Sequence, residues 1–315
     1  MSTMQTKQQT REMAQQMLRE YAALLNEQLT KLPTMADGLS ALCADAALGT
    51  LYGSEQYSLT AGGKRIRGAL VMECCRMLGG EARFALPMAC AIEMIHAASL
   101  IHDDLPCMDN DDLRRGKPTN HKVYGEATAL LAGDGLLIDA VTLIAQSEQL
   151  PADMRLQAIS VLTEATGSTG MVGGQMMDLE SEGKTIPLSY LESLHARKTG
   201  ALFRASLLLG AIAAGKTVAQ HPKIFDALCA YAHGVGLAFQ VLDDILDVTA
   251  DPTLLGKTKG KDEQEEKNSF LRYYTLEEAQ KLACKLTEDA VEAVAPLKGS
   301  ERICALAYYL QDRVY

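Results

Sequence analysis

Two acidic clusters in apolar surroundings are the residues of this 315-residue chain best placed to do chemistry. The first reads Asp103-Asp104-Leu-Pro-Cys-Met-Asp109-Asn-Asp111-Asp112, and the second Asp243-Asp244-Ile-Leu-Asp247. Gln240, Asp243, Asp244 and Asp247 fall at i, i+3, i+4 and i+7, one stripe of a helix. Phe239, Val241, Leu242, Ile245, Leu246 and Val248 surround that stripe. Like charges at this spacing repel, and partial burial sharpens the repulsion. A polyvalent cation would offset it. Carboxylate oxygens suit hard Mg²⁺, which keeps several waters and also binds substrate phosphates. The alternative for either cluster alone is a solvated helix end.

The first cluster has another geometry. Asp103 and Asp109 are six residues apart, about 120° around a straight helix. Pro106 lacks an N–H and disturbs the helix, so the chain can loop and carry Asp109 back toward Asp103. His96, seven residues before Asp103, shares its helix face at about 10 Å. It is either a satisfied core histidine or a group facing a ligand.

Basic residues accompany both clusters. Gly62-Gly63-Lys64-Arg65-Ile66-Arg67-Gly68 sets three cations at a helix start, where the helix dipole disfavours them. The glycines allow close backbone approach, and a bound phosphate would relieve the conflict. A solvated basic turn is the alternative, and the P-loop spacing is absent. Arg114-Arg115 follow the first cluster, Lys198-Thr199 sit at a helix junction, and Lys257, Lys259 and Lys261 lie in a Gly-containing loop after the second. Taken jointly, acidic clusters on apolar helices with cations just beyond them describe a cavity for Mg²⁺ and more than one polyphosphate.

Helices must position these groups. Helical periodicity predicts helices over 10–31, 34–50, 64–78, from Pro87 in a first turn to about Asp104, then 126–146, 152–173, 188–196, 199–214, 222–249, 275–295 and 301–313, with a charged loop before Gly125. Runs of alternating β-branched residues are almost absent, and no repeat or linker divides the chain. The expectation is a single all-α domain over residues 1–315. Stretches 88–102, 126–145 and 224–248 are apolar on most faces and belong in the middle of a bundle.

Composition narrows the function class. Apolar residues make up 48% and charged residues 22%, which excludes collagen-like and mainly disordered chains. A net charge of −10 argues against nucleic acid as the main partner. The eight cysteines are scattered without CxxC spacing and read as reduced thiols of a cytoplasmic protein. Met1 to Glu20 is polar, so no signal peptide is expected, and no uninterrupted apolar run of about 18 residues predicts a membrane span.

From Gly62 onward these residues closely resemble the trans-prenyl diphosphate synthases, the farnesyl and geranylgeranyl diphosphate synthase family. The stretch from Glu93 through Asp103-Asp104-Leu-Pro-Cys-Met-Asp109 to Gly116 resembles its first aspartate-rich motif, with two extra residues inside the Asp spacing. Phe239 to Asp247 resembles the second, and Leu255-Gly-Lys-Thr-Lys-Gly-Lys-Asp262 the loop that follows. The resemblance implies a bundle of long helices around a deep central cavity, a homodimer, and condensation of isopentenyl diphosphate with allylic diphosphates. It implies that Asp103, Asp104 and Asp109 bind two Mg²⁺ and that Asp243, with Asp244 and Asp247 near, binds a third. Arg114, Lys198 and Lys257 would contact the allylic diphosphate. Gly63, Lys64, Arg67, His96 and Arg115 would hold isopentenyl diphosphate, and Thr199 and Gln240 would face the forming carbocation. The family's position five residues before the first Asp, often aromatic in farnesyl synthases, is Ala98 here, followed by Ser99. Two small residues there favour a product longer than fifteen carbons, with Met94 or a facing helix as the alternative floor. Two rival readings are a class I terpene cyclase, which lacks a second diphosphate site, and a catalytically weak regulatory subunit, which usually loses Asp residues.

Overall fold

The computed structural model describes residues 3–31, 46–249 and 268–312. The predicted 34–50 helix lies mostly outside them, as do Lys257, Lys259 and Lys261. The described chain is helical almost throughout. In chain order the helices are α1 (Thr3–Lys31), α2 (Ala46–Leu59), α3 (Ile66–Met77), α4 (Ala82–Asp103), α5 (Asn120–Tyr124), α6 (Glu126–Ala145), α7 (Ala152–Thr166), α8 (Met171–Ser181), α9 (Leu188–His195), α10 (Ala201–Ala213), α11 (Pro222–Thr249), α12 (Leu276–Val294) and α13 (Glu301–Gln311).

Helix ends follow local chemistry. Pro222 opens α11, where its missing N–H costs nothing. Thr275 and Glu278 form a reciprocal capping box at the start of α12. Pro87 departs from expectation. It is the sixth residue of α4, which starts at Ala82, rather than part of its first turn. The hydrogen bond it cannot make would have reached the carbonyl of Arg83, close enough to the helix end to be tolerated. The predicted 152–173 helix is two helices. The chain turns at Gly167–Gly170, and a Cβ on Gly170 would overlap the carbonyl oxygen of Ala165.

The core is built on α4 and α10. Ile92, Ile95 and Ala98 of α4 pack with Leu136, Leu162 and Leu209 in one buried cluster. Met17, Leu70, Phe203, Tyr231 and Leu306 join α1, α3, α10, α11 and α13 in a second. Val241, Ile245, Phe270 and Ala283 form a third at the far end of α11. Burying each large aliphatic or aromatic side chain contributes about 1.5–3 kcal/mol before entropy is counted. Helices α4, α6 and α11 are long and apolar enough to cross a membrane by length and composition alone. The apolar windows of α4 and α11 are 72% and 56% buried inside the fold, but that of α6 only 33%. Leu131 and Ile138 of α6 stand in the open, 57% and 67% exposed.

Candidate active site

The first acidic cluster begins at the C-terminus of α4. Beyond Asp104 the chain turns around Pro106, and the backbone N–H of Asp109 donates to the carbonyl of Asp103 at 2.8 Å. That bond returns Asp109 beside Asp103, as the sequence suggests. A two-stranded hairpin, β1 (Leu113–Arg114) and β2 (Lys117–Pro118), follows where a plain loop is expected. Arg115 and Gly116 at its tip have φ of 56° and 75°, the double positive φ of the hairpin turn that matches strand twist. The turn sends the two arginines to different places. Arg114 donates to Asp104 through Nε at 2.9 Å and to Asp111 at 3.2 Å. Arg115 donates to the carbonyl of Gly62 and lays its guanidinium on Gly63. A Cβ on Gly63 would sit 2.8 Å from that guanidinium carbon.

The second cluster lies along α11 as the periodicity predicts. Asp243, Asp244, Asp247 and Gln240 line one cavity of about 770 Å³, and Asp103, Asp109 and Asp111 line the same cavity. Both carboxylate walls thus face a shared space. Gln240 links the stripe to Thr199, accepting from its hydroxyl at 3.3 Å and donating to Asp244 at 3.3 Å. The backbone N–H of Phe270 holds the other oxygen of Asp244 at 2.7 Å.

Lys198 and Thr199 sit in a π-helical turn, Ala196–Gly200, between α9 and α10. Wide turns of this kind often mark functional positions. Gly174 of α8 lets the two backbones touch, since a Cβ there would overlap the amide nitrogen of Lys198. Lys198 points into the cavity and donates to Asp178 at 2.5 Å.

Electrostatics distinguish the residues. Burial pushes the Asp103 carboxyl up to about 6 against the pull of Lys198, and Asp109 adds to the rise. Burial and then Arg67 hold His96 well below the usual imidazole range, so its ring is neutral. His96 and Arg67 approach at 3.5 Å, and Arg67 lies over the Phe203 ring. Both line the large cavity.

Several sequence-based assignments shift. Asp104 does not line the large cavity. It is 3% exposed, bonded to Arg114, and borders a small side cleft with His96, Arg114 and Arg115. Lys64 lines neither space and rests its ammonium 5.2 Å above the Tyr309 ring. Ala98 is fully buried in the core and lines neither, whereas Ser99 is on the cavity wall. The cations at the start of α3 also have an anion that sequence reasoning missed. Glu93, buried on α4, accepts from the N–H of Gly68 at 2.8 Å and from Arg65 at 3.4 Å. Arg65 is therefore a structural partner of Glu93, and a phosphate is not needed to explain its presence. A carboxylate inside the run Ala-Ile-Glu93-Met-Ile is the signal that would have found it. Asp178, Gln175 and His195 were missed too, although all line the cavity. Gln175 and Asp178, three apart on α8, share a face that periodicity could have flagged.

The donor set fits magnesium. Facing carboxylate walls offer hard oxygen, and burial, which raises the Asp103 carboxyl, favours a cation beside its ionised form. Among the described residues no three carboxylate, imidazole or thiol groups converge closely enough to hold an ion alone. Mg²⁺ tolerates this, because water and substrate phosphate complete its shell. Three buried groups on the cavity wall have nitrogens without a hydrogen-bond partner: Nε of Arg67, Nε2 of Gln175 and both ring nitrogens of His195. An unpaired buried polar atom costs about 1–3 kcal/mol, so the wall is arranged for a polar occupant.

Comparison with known proteins agrees with this geometry. Residues 49–299 match the sequence profile of the polyprenyl synthetase family. A farnesyl diphosphate synthase of Geobacillus stearothermophilus is 51% identical over 216 residues, 68% of this chain and 71% of that protein. A geranylgeranyl diphosphate synthase of Cyanophora paradoxa is 47% identical over 246 residues, 78% of this chain and 81% of the relative. A geranyltransferase of Helicobacter pylori, solved with magnesium and isoprenyl diphosphate, superposes with a TM-score of 0.74 at 35% identity, covering 83% of this chain and 86% of that one.

Proposed function

This chain belongs to the polyprenyl synthetase family, and we propose how its residues divide the work of a magnesium-dependent short-chain prenyltransferase. The enzyme joins isopentenyl diphosphate to an allylic diphosphate. The observation that carries the reading is the single cavity onto which both carboxylate walls, Lys198, Arg67 and Arg114 open.

Asp103 and Asp109 on one side and Asp243, Asp244 and Asp247 on the other would hold magnesium, three ions with substrate bound. Bound magnesium supplies the positive charge that lets diphosphate leave an allylic carbon. Asp104 serves this wall indirectly by holding Arg114. Lys198 and Arg114, with Lys257 from outside the described residues, would grip the allylic diphosphate. Arg67, His96, Arg115, Lys64 and the backbone at Gly63 would hold the isopentenyl diphosphate, with Lys64 leaving the Tyr309 ring to do so. Thr199 and Gln240, already bonded to one another, present oxygen dipoles toward the developing allylic cation, and apolar walls keep water out. Holding both substrates at once removes much of the entropic barrier. The proton lost at the end can leave with the departing diphosphate, so no dedicated protein base is required.

No Phe, Tyr or Trp lines the cavity among the described residues. That supports a product longer than fifteen carbons, with Ser99, not Ala98, facing the growing chain. The apolar face of α6 that carries Leu131 and Ile138, both exposed, supports a homodimer that covers it rather than a membrane span. The seven described cysteines are all unpaired, which supports the cytoplasm. The isopentenyl diphosphate residues disfavour a terpene cyclase, and the completeness of both aspartate sets disfavours a regulatory subunit. The purified chain, given Mg²⁺, isopentenyl diphosphate and dimethylallyl diphosphate, is expected to release geranylgeranyl diphosphate. No prenyl product from the chain alone would overturn the reading.

A further inference from the structure

His195 is one of the cavity residues that this division of labour leaves unused. It ends α9, one residue before the π turn that carries Lys198 and Thr199. Its ring stacks on Phe270, centroids 5.4 Å apart and planes 29° from parallel. The stack and the helix end fix its orientation, and only 6% of the residue is exposed. It lines the large cavity, yet neither ring nitrogen has a hydrogen-bond partner.

The polar groups around it are engaged elsewhere. Lys198 and Asp178 bond one another. Asn268 donates to the carbonyl of Ser181 at 2.8 Å and accepts from Arg272 at 3.0 Å. The N–H of Phe270 goes to Asp244. A core histidine ordinarily finds a carbonyl or hydroxyl; this one faces an open space walled by the residues assigned to the diphosphate and its metal. Burial first, with Lys198 adding, pushes its ring down to about 4 against the opposing pull of Asp178. It is neutral near pH 7, with one N–H to donate and one lone pair to accept. A neutral donor can approach phosphate oxygen beside magnesium without the repulsion a further cation would meet. Magnesium itself prefers oxygen, which favours the donor role over direct ligation.

We propose that His195 is a further binding residue of this enzyme, donating its ring N–H to the substrate diphosphate or to water ordered around it. The proposal rests on the reading of the cavity as a magnesium diphosphate site. The test is calorimetric titration of the full chain with inorganic pyrophosphate in excess Mg²⁺, alongside thermal unfolding. His195→Phe keeps an aromatic ring against Phe270 and removes both nitrogens; His195→Leu repeats the deletion if that variant does not fold. His195→Gln keeps a donor and an acceptor. The deletion variant is expected to bind pyrophosphate about tenfold more weakly, with its unfolding midpoint in the absence of ligand close to wild type and KM for the allylic diphosphate raised more than kcat is lowered. His195→Gln is expected to recover most of the affinity. Affinity within twofold of wild type in the deletion variant overturns the proposal, as does a His195→Gln variant no better than the deletion. If wild type itself binds no pyrophosphate with Mg²⁺, the reading of the cavity falls and the proposal with it.

Discussion

The two carboxylate walls face the same cavity but are made differently. The α11 wall is a stripe on an unbroken helix, and its spacing alone puts Gln240, Asp243, Asp244 and Asp247 on one side. The α4 wall is a helix end continued by a turn and a hairpin, and it carries its own cation. Asp104 is engaged by Arg114, Asp103 is raised by burial, and Asp109 is returned by one backbone bond. Three aspartates within one seven-residue stretch therefore have three environments. Sequence proximity groups residues into a motif; it does not assign them one role.

The largest expected effect falls on both walls alike. Asp103→Asn and Asp243→Asn should each lower kcat/KM at least about 10³-fold, because metal-assisted departure is worth several kcal/mol of barrier. Steady-state assays with Mg²⁺ check this, and near-wild-type activity in either variant would leave only one wall working.

Within the α4 wall, Asp104 and Asp109 should separate. Asp104→Ala leaves Arg114 with Asp111 alone and is expected to cost about 3 kcal/mol of stability, the low end of the range for breaking a buried ion pair. Asp109→Ala should lower activity with little change in denaturant midpoint. Equal stability losses would show that Asp104 is no more structural than its neighbour.

The burial of Asp103 gives a pH signature. Its folded carboxyl is raised above the ordinary value of about 3.9, up to about 6, so the fold penalises its ionised form. That penalty is absent below about pH 4, grows as pH rises, and is complete above about pH 6. Without metal, Asp103→Asn should be more stable than wild type at pH 8, and the gap should close as pH falls through 6 toward 4. Thermal unfolding across that range checks it. A gap that does not change with pH would contradict the burial account.

The smallest effect concerns product length. Ser99→Phe should shift the product mixture toward fewer carbons with the fold intact. Ala98→Phe, at a fully buried position, should destabilise by about 1–3 kcal/mol through overpacking. Mass analysis of products and unfolding midpoints separate the two. A shorter product from Ala98→Phe with unchanged stability would restore Ala98 as the gate.

The same contrast explains what the sequence could disclose. Helices and the α11 stripe are local: a period of 3.6 residues places Asp243 and Asp247 without knowledge of anything distant. The all-helical bundle and the shared cavity were legible on that basis, helped by the motifs around them. The pairings Arg65–Glu93, Lys198–Asp178 and Asp244 with the N–H of Phe270 span 28, 20 and 26 residues, and no periodicity encodes them. The π turn at Lys198 was hidden for a related reason, since Gly174 of another helix makes room for it. Ala98 and Ser99 are neighbours in sequence, and only packing decides which one faces the cavity.

The central claim is that metal and diphosphate bridge the two walls. A double-mutant cycle of Asp103→Asn and Asp243→Asn, read as the affinity for inorganic pyrophosphate in Mg²⁺, tests it most directly. If one bridged assembly spans the cavity, the double variant loses far less than the sum of the single losses, with a coupling of about 1–3 kcal/mol. Losses that simply add would mean that each wall binds on its own, and the bridging account would be wrong.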